Sequence, residues 1–121
     1  MDSEKFERLV GEAIDRLPEA IRERLENIDI VVADLPTREQ MGKSKDKKET
    51  LLGLYEGVPL TERTYNYSLV MPDKITIFQR SIEGMCRNES QIITEIQRVV
   101  RHEIAHHFGI SDDRLEELGR Y

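Results

Sequence analysis

The sequence predicts an α+β fold in one domain over residues 1–121, a three- to four-stranded mixed sheet packed on one long helix, with further helices toward both ends. Three observations carry this. Apolar residues recur at helical spacing near both ends of the chain, short β-branched segments lie between, and 121 residues suffice for one modest core but not two.

In residues 3–17 the apolar positions Phe6, Leu9, Val10, Ala13, Ile14 and Leu17 keep the three-and-four spacing of an amphipathic helix, with Ser3 placed to cap it. Pro18 fits the first turn of a second helix, where its missing N–H costs nothing; Ala20, Ile21 and Leu25 share one side, and a stop follows near Asn27. "IDIVVADL" is short and β-branched, predicting a strand over residues 28–33 before the breaker Pro36. "TREQMGKSKDKKET" has no apolar period and strings lysines beside Gly42 and Ser44, which is the composition of a solvated loop.

"TLLGLYEG" and "KITIFQR" read as two more strands, the second alternating Ile75 and Ile77 with an outward-facing Thr76. "MPDK" suits a turn ahead of it, and "VPLTERTYNYSLV" leaves room for a short strand at 67–70. "NESQIITEIQRVVRHEIAHHFG" is the strongest helix: Asn88 caps it, Gln91 follows three residues on, and Gly109 offers a left-handed exit. "SDDRLEELG" then predicts a short last helix, with a Ser cap and Leu115 and Leu118 as its buried pair.

Composition narrows the function. The formal net charge of -6 leaves no basic footprint for phosphates, so nucleic acid is not expected as a partner. No apolar run approaches the roughly 20 residues that span a bilayer, and "MDSEKFERLV" is charged where a signal peptide is apolar, so the expected address is the cytoplasm, away from any membrane. The single cysteine, Cys86, cannot close an internal disulfide.

All three histidines fall within "RHEIAHHFGISDD". On a wheel of about 100° per residue, Ile92, Ile93, Ile96, Val99, Val100 and Ile104 form one apolar arc. Glu103 and His107 continue the direction of that arc into the last turn, and His106 lies at its edge. A carboxylate there is costly unless the site is an open cleft or holds a cation.

His102 and His106, one turn apart, can bring two imidazole nitrogens to one ion, while Glu103 can reach a water beside it. This is the content of His-Glu-x-x-His: two ligands and a general base on one helix, with zinc the natural ion. Capping of the helix C-terminus by histidine explains positive charge there but not Glu103. Zinc wants a third protein ligand; Asp112, six residues past His106, is the foremost candidate, with Asp113, Glu116 and Glu117 behind it.

"HEIAHHFGISD" is similar to the metzincin-type pattern His-Glu-x-x-His-x-x-Gly-x-x-Asp. With "LLGLYEGVPLTER" and "PDKITIFQR" upstream, the chain resembles the bacterial minimal-zincin family of metallopeptidases with a matrix-metalloprotease-like domain. The resemblance implies a small α+β zincin domain with Zn2+ on His102, His106 and Asp112, Glu103 as base, and a peptide or protein substrate. No methionine follows Met85, so the methionine turn of larger metzincins is missing, and too few residues follow His106 for a remote glutamate ligand of the thermolysin kind.

The peptide is expected to lie extended on an exposed strand, for which "KITIFQR" is the candidate edge, and His107 is expected to pack or to hydrogen-bond behind the ligands. Three rivals stand beside this: a sulfur ligand from Cys86 as in peptide deformylases, a metal-dependent endoribonuclease of similar spacing, and a zinc-stabilised module that binds a peptide without cutting it.

Overall fold

A computed structural model describes residues 1–43, 51–57 and 73–108. Helix α1 (Ser3–Asp15) is capped by Asp2 rather than by the expected Ser3, the Asp2 carboxylate accepting the Lys5 N–H at 2.8 Å. A carboxylate both satisfies an orphan N–H and answers the positive end of the helix dipole, which a serine hydroxyl does only in part. Helix α2 (Glu19–Arg24) follows Pro18, whose carbonyl accepts the N–H groups of Ile21 and Arg22.

Strand β1 (Ile28–Ala33) occupies the residues its β-branched run predicts. The next segment corrects the sequence expectation of a loop: Arg38–Lys43 is a short helix, α3. Thr37 and Gln40 form a reciprocal capping box, with Gln40 N–H donating to Thr37 Oγ1 and Thr37 N–H to Gln40 Oε1. Those two bonds replace the apolar stripe that the segment lacks.

Strands β2 (Gly53–Glu56) and β3 (Asp73–Phe78) complete a three-stranded mixed sheet of order β1-β3-β2, with β1 parallel and β2 antiparallel to β3. "KITIFQR" is therefore the central strand, paired on both sides, and not the open edge expected from its sequence. The alternation of Ile75 and Ile77 with Thr76 suits an edge or a centre alike, and it is the pairing with β1 and β2 that makes this strand central. Thr76 departs from expectation in the same way: it points away from Ile75 and Ile77 but is only 2% exposed. The strand also stops at Phe78, and Gln79–Glu83 turns at once into helix α4, its Arg80 N–H held by the Asp34 carbonyl.

Helix α5 (Glu89–Phe108) is capped as the sequence predicts, with Gln91 N–H donating to Asn88 Oδ1, though the Gln91 side chain reaches back to Arg87 N–H rather than to Asn88. Its predicted arc, Ile92, Ile93, Ile96, Val99, Val100 and Ile104, is buried in full. It packs with Phe6, Leu9, Val10 and Ala13 of α1, with Leu17 and Ile21, and with Ile75 and Ile77 of the sheet, in one continuous core. At about 1.5–3 kcal/mol for each large side chain removed from water, this arc is the main anchor of α5. Gln97 adds a polar tie, its Nε2 donating to the Ala13 carbonyl in the last turn of α1, where carbonyls lack helical partners.

Among the described residues no helix is long and apolar enough to cross a membrane. The strand expected at 67–70, the exit at Gly109 and the helix expected from Ser111 lie outside the described residues.

Candidate functional site

The last turns of α5 lie on β2. Phe78 N–H donates to the Leu52 carbonyl on the β3 side, so the antiparallel alternation turns the backbone groups of Leu54 toward β3 and those of Gly53 and Tyr55 outward. Helix and strand meet along one row of α5, Val99, Glu103 and His107, each four residues from the next. Four helical residues advance about 6 Å and two strand residues about 6.6 Å, so the row and the outward positions of β2 keep step.

Gly53 makes the approach possible. A Cβ there would sit 2.4 Å from Val99 Cγ1 and 3.2 Å from the Thr76 carbonyl oxygen. One turn on, the Tyr55 N–H, left unpaired by the sheet, donates to Glu103 Oε1 at 2.8 Å. Glu103 is half-buried, and among the described residues this is its one hydrogen bond, so the second oxygen is available for other work.

The Tyr55 ring stacks on His107, centroids 3.8 Å apart and planes 11° from parallel. Its hydroxyl donates to Asp73 Oδ2 at 2.7 Å, and His107 Nε2 lies 3.9 Å from the same oxygen. Tyr55 and Asp73 lie in segments that carry the family resemblance but have no role of their own legible there, and the pairing of β2 with β3 brings them together beside this helix. With its proton given to Asp73, Tyr55 is not placed to donate to a developing oxyanion.

His102 and His106 occupy the neighbouring row of α5 and are both exposed. Their ring centroids are 4.3 Å apart, with planes inclined at 72°. A four-coordinate zinc holds two imidazole nitrogens about 3.3 Å apart, a span two rings at this separation can meet, and neutral imidazole is a preferred zinc donor. The donor chemistry and spacing thus fit the metal. Among the described residues no group of three His, Cys, Asp or Glu side chains converges, and Asp112, Asp113, Glu116 and Glu117 all lie outside them. Cys86 joins no such group among the described residues.

A family model described as zincin-like metallopeptidase matches residues 25–120, most of the chain. This chain belongs to the zincin-like metallopeptidases. Members of that family typically bind zinc, and the site row of this one falls within the matched span. Among solved structures the zincin-like chain is similar to a conserved hypothetical protein from T. thermophilus, with a TM-score of 0.57 and 18% identity over 89% of this chain and 94% of that one, a likeness of fold. No curated protein matches it.

Proposed function

We propose that the protein is a zinc-dependent metallopeptidase whose metal is held by His102, His106 and Asp112 and whose general base is Glu103. The observation that supports this most is the meeting of the two histidine rings on the exposed flank of α5, beside a carboxylate with one oxygen anchored and the other uncommitted. When bound, zinc supplies Lewis-acid polarisation of the scissile carbonyl and makes water in the site more acidic.

The chain's own residues do the rest. Anchored through Oε1, Glu103 presents Oε2, takes the proton of the attacking water and passes it to the departing amide nitrogen, giving a carboxylic acid and an amine. The peptide lies extended on the outer edge of β2, where among the described residues no strand pairs. Glu103 already occupies the Tyr55 N–H, so among the described residues the edge offers the peptide the Gly53 N–H and carbonyl.

Elemental analysis of the purified protein should find zinc, and His102→Ala should lose it. Glu103→Gln should keep zinc and lose peptide turnover by about 10²-fold or more. Metal-free wild-type protein, or undiminished turnover in Glu103→Gln, refutes the proposal. Zinc without turnover on a diverse peptide library favours instead a zinc-stabilised module that binds a peptide without cutting it.

A further inference from the structure

We infer that Tyr55 is a positioning residue of this site: with Asp73 and His107 it fixes the roll of α5 on β2, and so aims both Glu103 and the histidine pair. The inference rests on the function proposed above for what is aimed, but the clamp itself is a property of the metal-free chain.

Among the described side chains of α5, Ile104 and Ala105 are the last that lie in the core, and His106 and His107 are exposed. The turn that carries both histidines is gripped from its side by β2. Side-chain tips stand about 5–6 Å from the helix axis, so a roll of only about 20° carries them through about 2 Å, whereas a metal site tolerates a few tenths of an ångström.

Tyr55 grips the turn at two points one helical turn apart. Its backbone N–H holds Glu103, and its ring lies flat on His107. A hydrogen bond alone would let the helix pivot about Glu103, and a stack alone would let it slide; together they remove both freedoms. The ring in turn cannot swing, because its hydroxyl is tied to Asp73 on β3, the central strand. The row bearing His102 and His106 is covalently one position round the helix from the gripped row, so fixing one fixes the other.

Amide hydrogen exchange of the metal-free full chain, read residue by residue by NMR, tests the clamp. The Tyr55 amide should be protected in the wild type and lose that protection in Glu103→Ala. His107→Ala should lower it roughly 3- to 10-fold while Leu54, whose N–H faces β3, is unchanged. His107→Phe, which keeps a ring on Tyr55, should restore it. An unchanged Tyr55 amide in His107→Ala, or equal loss at Leu54 and Tyr55, overturns the inference.

Zinc affinity, measured by competition with a chromophoric chelator, should fall about 10-fold in His107→Ala and recover in His107→Phe. Wild-type zinc affinity in a His107→Ala protein whose Tyr55 amide has become labile overturns the positioning role. Failure of the wild type to bind zinc refutes the metal site instead and leaves the exchange result to decide the clamp.

Discussion

Replacing Gly53 by alanine tests the contact that seats α5 on β2. The added methyl would lie 2.4 Å from Val99 Cγ1, against an ordinary carbon contact of about 3.5–4.0 Å, so something must give by about 1 Å. Val99 is β-branched and buried, with little freedom at χ1, and the Thr76 carbonyl at 3.2 Å blocks retreat on the strand side. Overpacking of this kind costs about 1–3 kcal/mol.

If α5 moves by about 1 Å, the Tyr55–Glu103 bond stretches from 2.8 Å past hydrogen-bond range, so Glu103 loses its anchor as well. For a chain of this size a loss of 1–3 kcal/mol lowers Tm by roughly 5–15 °C. Calorimetry on Gly53→Ala, Val99→Ala and the double variant is the assay. Val99→Ala alone should cost about 2 kcal/mol in lost burial and cavity, and the double variant should be more stable than the sum of the two losses by about 1 kcal/mol or more. Losses that add within about 0.5 kcal/mol, or an unchanged Tm for Gly53→Ala, refute the close approach as the reason for glycine.

Cys86, its thiol pKa raised by desolvation and then by the negative charge of Glu95, should be alkylated by iodoacetamide near neutral pH more slowly than a free cysteine peptide, with the rate climbing only as pH rises into the alkaline range; equal rates at about pH 7.5 would contradict this. Asn88→Ala, which removes the α5 cap, should cost about 1 kcal/mol in urea unfolding, and a change below about 0.3 kcal/mol would show the cap to be idle. Ile96→Ala, at a fully buried position facing α1 and the sheet, should cost about 2–5 kcal/mol by the same measurement; a loss under about 1 kcal/mol would mean that the core collapses around it.

What the sequence made legible was whatever a local period or cap encodes. The apolar arc of α5 and the span of β1 could be read because each rests on residues adjacent in the chain. Strand order could not: nothing within "KITIFQR" says that it has a partner on each side, and Ile75 and Ile77 serve an edge or a centre equally well. The helix at Arg38–Lys43 escaped notice because a six-residue helix has too few turns to show a stripe, although Thr37 and Gln40 stood at capping-box spacing.

The same division runs through the site. His102, Glu103 and His106 announce themselves by spacing on one helix. Tyr55 and Asp73 do not, because their roles exist only once β2 has paired with β3 and α5 has docked, and Tyr55 is 48 residues from the glutamate it holds.

The tie between Gln97 and Ala13 joins residues 84 apart, and it bears on how the chain is born. Until α5 has emerged from the ribosome, the apolar stripe of α1 lacks its main partner among the described elements, and β1 waits for β3 in the same way. Assembly therefore depends on late, distant encounters rather than on local turns. Such chains fold slowly for their size. While synthesis lasts, the first helix exposes a greasy face, an opening for chaperones and for aggregation alike.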